Sequence, residues 1–202
     1  MKMSKIIYAP ALVSALALSN LAQAQAGTPT TPAPIAATPT DTTAASPATK
    51  VNDREILQIL MTVNDSQIDQ GKQAKKNSKS KPVKDFADMM ILEHKQVQKD
   101  LKSWSSKTKI KVGPSKLNDD LQKTAKASIK KLKHVSGKEF DRDYSADQIA
   151  MHQGLLDQLD STLIPNAQDQ ELKDLLAKVR TSVTAHLEKA KNLQTTIGAA
   201  AG

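Results

Sequence analysis

The chain has 202 residues, no cysteine, a formal net charge of +8, 25% charged residues and 2% aromatic ones. That length accommodates one ordinary domain with an appendage. The lack of cysteine excludes a disulfide framework, thiolate metal sites and a Cys nucleophile, and so few aromatic rings exclude the stacking platforms that bind single-stranded nucleic acid.

Residues 1–26 read as a secretory leader. Lys2 and Lys5 form a short positive start, an Ala- and Leu-rich stretch runs from Ile6 to about Leu21, and Ala22-Gln23-Ala24-Gln25-Ala26 offers two overlapping small-x-small cleavage sites. The apolar stretch is too short and wrongly flanked for a stable membrane span, and no later segment is apolar for long enough. Residues 27–50 hold five of the nine prolines among Thr and Ala with almost no charge. Such a segment cannot bury enough apolar surface to offset its chain entropy, so it is expected to be a disordered linker.

Residues 51–202 are expected to form one helical domain. Apolar residues recur there at three and four, without strand-like alternation. The first helix spans about Asn52 to Lys76, with the stripe Ile56, Leu60, Val63, Gln67, Gln70 and Ala74, and Asn52 with Glu55 reads as a capping box. The second starts at about Pro82 and carries Val83, Phe86, Met90, His94, Val97, Leu101 and Trp104. A shorter helix, about Lys116 to His134, follows a Gly113-Pro114 loop. Ser136 with Glu139 predicts a second capping box, opening a helix to about Leu163 with the stripe Phe140, Tyr144, Gln148, His152, Leu155 and Leu159. After Pro165-Asn166 a last helix runs from about Asp169 to Gln194 through Leu172, Leu175, Leu176, Val179, Val183, His186, Ala190 and Leu193.

Short connections make helices one and two, and likewise the last two, antiparallel hairpins. About 18 helical residues between the hairpins travel about 27 Å, roughly the bundle length. The expected fold is therefore all-α: a ferritin-like four-helix bundle with a short helix in the long crossover between two helical hairpins.

Three stretches resemble a known family: Gln67-Ile68-Asp69-Gln70-Gly71-Lys72-Gln73-Ala74 with Val83-Lys84-Asp85-Phe86-Ala87, Met90 and Glu93-His94; Ser136-Gly137-Lys138-Glu139-Phe140-Asp141-Arg142-Asp143-Tyr144 with His152; and His186-Leu187. Over residues 52–195 the chain is similar to the exported bacterial "domain of unknown function 4142" family. The resemblance implies a ferritin-like bundle in the periplasm or outer membrane, and no particular activity. The family commonly has Glu where this chain has Gln67, and a neutral amide is a poorer ligand for a hard metal.

His94, His152 and His186 fall on core stripes of three different helices. Under the crossover topology they and Gln67 lie within roughly 9 Å of one layer. Two readings follow. One is a transition-metal site with the imidazoles as ligands, supported by Gln67, Glu93, Tyr144, Asp147 or Gln148. The other is a buried polar layer in which the rings bond Tyr144, Gln148 and Gln67 and fix helix register. The sequence favours the second. It lacks the Glu-x-x-His of carboxylate di-iron bundles: Glu93 directly precedes His94, about 100° away around the helix. His134, among lysines, reads as solvated.

Residues 72–138 hold nineteen lysines against six acids, whereas residues 139–174 hold nine acids against two basic residues. The Lys-rich region suits an anionic envelope surface. With only three Arg in the chain, specific phosphate or base readout is not expected. No phosphate loop, G-x-S-x-G or H-E-x-x-H occurs. The favoured reading is a non-enzymatic envelope binding or structural protein with no cofactor. The alternatives are a His-centred metal or redox bundle and a Lys-rich binder of anionic polymer.

Overall fold

The computed structural model describes residues 50–199. The predicted leader at 1–26 and all of the predicted linker except Lys50 lie outside the described residues. The described part is all-α: α1 (Asp53–Asn77), α2 (Lys81–Thr108), α3 (Lys116–Leu132), α4 (Gly137–Gln158), a π-helical turn (Leu159–Leu163), the short α5 (Ile164–Asn166) and α6 (Gln170–Ala199).

α1 packs along α2, and α4 along α6. α1 against α4 and α2 against α6 close the four-helix ring, while α3 crosses back outside, along α1. Both hairpins and the crossover thus follow the expected topology. Hydrogen bonds fix the direction of the helices. At the lower end the Asp53 carboxylate accepts from the backbone N–H of Gln168 and Asp169, at 2.8 and 3.0 Å. Asp169 accepts in turn from Trp104 Nε1 and from Leu172 N, each at 2.9 Å, and so caps α6. The starts of α1 and α6 and the end of α2 therefore meet at one end. The α2–α3 loop is tied there too, by Gly113 N–H donating to the Arg54 carbonyl at 3.0 Å.

The Asn52–Glu55 capping box forms as expected. The Ser136–Glu139 box does not: Ser136 makes no side-chain cap bond. Gly137 sits in the left-handed region with φ 59°, which turns the chain at the first helical residue and carries the Ser136 hydroxyl away from the amides it was expected to cap. The helix expected to run to Leu163 also changes character. It is α-helical to Gln158 and then widens into a π turn, with Ile164 N bonding Leu159 O. Pro165 has no N–H to offer, and the wider turn lets the chain reach Asn166 past that missing donor.

The apolar core has two parts. The lower contains Ile56, Leu60, Leu101, Trp104, Leu159 and Leu176, with their neighbours. The upper contains Ala74, Val83, Phe86, Met90, Phe140, Tyr144 and Leu193. Between them, on all four long helices, lie buried polar residues: Asn64, Gln67 and Gln70 on α1, His94 on α2, Gln148 and His152 on α4, and His186 on α6.

Candidate metal centre

Three of these polar residues are imidazoles, delivered by separate helices. Each His occupies a position at which the 3.6-residue period faces the bundle axis. His94, His152 and His186 are 4%, 1% and 2% exposed. Their ring centroids are 6.0 Å (94–152), 5.3 Å (94–186) and 5.3 Å (152–186) apart. One ring nitrogen from each lies within 4.8 Å of those of the other two.

Each ring is held from behind. His94 Nδ1 is 2.8 Å from Asn64 Oδ1, and Asn64 is itself oriented by donating Nδ2–H to the Leu60 carbonyl at 2.7 Å. His152 Nδ1 is 2.7 Å from the Gln148 carbonyl oxygen. His186 Nε2 is 2.7 Å from Glu93 Oε2. All three partners are acceptors, so each ring donates the proton of its bonded nitrogen, and a ring in its neutral form carries a lone pair on the other. Those other nitrogens, His94 Nε2, His152 Nε2 and His186 Nδ1, are buried and have no partner.

Burial keeps two of the rings neutral. Burial holds His94 well below the usual histidine range, and the neighbouring His186 and His152 push it the same way. Burial likewise lowers His152 to about 4, against the raising effect of the Gln148 carbonyl, with His186 adding to the fall. Neutral imidazoles are the form that ligates metal. The donor set fits a nitrogen-preferring transition ion such as copper or zinc. Three imidazoles on one ion at about 2.0–2.1 Å hold their nitrogens about 3.3–3.5 Å apart, so closing on an ion asks for side-chain shifts of about 1 Å.

The other residues singled out in the sequence sit around this cluster in different roles. Gln148 contributes its backbone carbonyl, while its side-chain amide donates to Gln70 Oε1 at 2.7 Å. Gln70 passes the chain on to Ser128 of the crossover helix at 3.2 Å, and Ser128 to Asp147 at 2.6 Å. Gln67 makes no bond to a ring; its amide faces Met151 Sδ at 3.9 Å. Tyr144 belongs to the upper core, stacked on Phe140 and edge-on to Phe86, with its hydroxyl unpartnered, and burial raises its pKa far above the ordinary phenol value. His134 is exposed. Asn64 was missed from sequence. Its one signal is its spacing, four residues after Leu60 and four before Ile68, both buried.

No curated protein matches the chain. Among solved structures it is similar to "CopM in the Cu(II)-bound form", with a TM-score of 0.55 at 18% identity, over 72% of this chain and 98% of that one; at that identity the likeness is one of fold. The family model described as "Domain of unknown function (DUF4142)" matches residues 38–193, and the chain belongs to that family.

Proposed function

We propose that the protein binds a single transition-metal ion in mid-bundle, with His94 Nε2, His152 Nε2 and His186 Nδ1 as ligands, and that it is a metal-holding protein rather than an enzyme. The observation that carries this reading is the three unpartnered ring nitrogens in one buried layer. Each buried group left without a partner costs about 1–3 kcal/mol, a cost that a bound ion would remove at all three nitrogens at once. Here every ring is satisfied on one nitrogen and bare on the other, the arrangement in which outer partners fix the tautomer of a metal-ligating histidine. The copper-bound neighbour of like fold supports copper as the first ion to try. With the leader read at residues 1–26, the protein would work in the bacterial envelope.

The test is elemental analysis of the untagged protein, as isolated and after titration with copper and zinc. One equivalent of metal per chain is expected. It should be lost in His94→Leu and His186→Leu variants that keep their helical circular dichroism. A protein that takes up no metal, or variants that keep it, would return the cluster to a structural role.

A further inference from the structure

The same site carries a sharper assignment, which rests on the metal-binding reading above. We infer that its cargo is monovalent copper, and that Glu93 is the positioning residue whose single negative charge balances it.

Charge favours a monovalent ion. The three ligand atoms are all imidazole nitrogens, and none of them is anionic. The layer lies between two apolar cores. The cost of moving an ion out of water rises with the square of its charge, so a divalent ion with no anionic ligand meets a far larger penalty here than a monovalent one. Among the described residues one acidic side chain bonds the cluster. Glu93 Oε2 accepts from His186 Nε2 at 2.7 Å. One positive ion and one carboxylate leave the site neutral; a divalent ion leaves it positive.

Coordination number favours the same ion. Zinc on three protein ligands takes a water as its fourth, and cupric copper takes a tetragonal set, so either divalent ion needs donors beyond the three nitrogens of this cluster. The space beside it is a cavity of about 10 Å³ lined by Leu60, Asn64, His94, Val97, Val183 and His186. That is room for one water at most, and its walls are largely apolar. Cuprous copper is satisfied by low coordination numbers and prefers soft surroundings. Fully buried Met90 stands one helical turn before His94 on the same face of α2.

Glu93 sits beside His94 in the chain yet serves another helix, because the 100° offset between consecutive residues aims it at α6. Its side chain is 41% exposed while that of His186 is 2% exposed, so it links the sealed cluster to the bundle surface. As a carboxylate it orients the His186 ring and strengthens the Nδ1 lone pair, the part that acidic partners of metal-ligating histidines play.

The experiment is an anaerobic competition titration of the full chain with Cu(I) against bathocuproine disulfonate, run beside titrations with Cu(II) and Zn(II). One Cu(I) per chain is expected, held at least about 100-fold more tightly than either divalent ion. Glu93→Gln keeps an acceptor for His186 but removes the charge. It should weaken Cu(I) about 10- to 100-fold and raise the reduction potential of the bound copper, with the unfolding temperature of the metal-free protein unchanged. Zn(II) or Cu(II) bound as tightly as Cu(I) would overturn the cuprous assignment and leave the metal site standing. Unaltered affinity and potential in Glu93→Gln would overturn the role of Glu93. Failure of every metal to bind would sink this inference and the metal-binding reading together.

Discussion

At the scale of single residues, the cluster stores a cost that pH makes visible. His94 and His152 titrate lower in the folded chain than the ordinary value of 6.5. Above pH 6.5 they are neutral in both folded and unfolded chains and the shift has no effect. As pH falls below 6.5 the unfolded chain takes up protons that the folded one refuses. Stability then drops by about 1.4 kcal/mol per pH unit for each such ring, levelling off for His152 once pH passes its folded value near 4. The unfolding temperature of the metal-free protein should therefore fall steadily between pH 6.5 and pH 4. Replacing His152 by Leu should flatten that profile, and an equal slope in the variant would remove the ring as its cause. Asn64 offers a second residue-scale prediction. Asn64→Leu fills similar volume but leaves His94 Nδ1 without its acceptor, freeing the ring to change tautomer and orientation. Metal affinity should fall about 10- to 100-fold with helix content unchanged, measured by competition with a chromophoric chelator.

This is also the scale at which the sequence was least legible. The three imidazoles could be read from spacing, because a helix period alone places His94, His152 and His186 inward. What holds them could not. Asn64 is one polar residue among several on α1, and only the pairing of α1 with α2 sets it against His94. Glu93 was named as a supporter of the site, but its partner on α6 lies 93 positions along the chain. Gln67 and Tyr144 stood on the right stripes, but each is turned to another neighbour, Met151 and the Phe140–Phe86 pair respectively.

At the scale of elements, helix-to-helix approach depends on one small residue. A Cβ built on Gly71 of α1 would lie 2.7 Å from Ile91 Cγ1 and 3.2 Å from the Ala87 carbonyl oxygen of α2. Gly71 thus sets how close the first hairpin closes, about two turns above the Asn64 that bonds His94. Gly71→Val should push α1 from α2 and destabilise the fold by about 1–3 kcal/mol, the usual cost of overpacking. Denaturant unfolding checks this, and an unshifted midpoint would show that the hairpin yields freely. At the lower end Asp169 joins three features: the α6 cap, the Trp104 indole and the Asp53 clasp. The indole bond foremost, and then the Leu172 N–H, hold its carboxyl below the usual range. Asp169→Ala removes the cap and leaves Trp104 Nε1 unpaired, for an expected loss of about 1–2 kcal/mol. Trp104 fluorescence reports it directly. Helix boundaries were legible to within a few residues from proline positions and the Asn52 cap. The π turn and the bare Ser136 were not, because both depend on backbone choices at Pro165 and Gly137 that apolar spacing does not encode.

At the scale of the whole molecule, the order hairpin, crossover, hairpin makes all four ring contacts antiparallel and brings three His-bearing turns to one depth. That much was legible, because loop lengths and one amphipathic crossover leave few alternatives. Among the described residues no helix is long and apolar enough to cross a membrane. The lysine excess of residues 72–138 over the acid excess of 139–174 gives the chain a lopsided charge, and a weak attraction to anionic polymers is the expected result. Retention on a sulfated-polysaccharide column should fall steeply with added salt; salt-independent retention would rule out the lysines as the cause.

X-ray absorption at the copper edge of the copper-loaded chain reads out what the three buried ring nitrogens hold. A first shell of three nitrogens with the outer-shell scattering of imidazole rings is expected, disrupted in His94→Leu. A shell of oxygen or sulfur donors, or an imidazole signal that survives loss of His94, would contradict it.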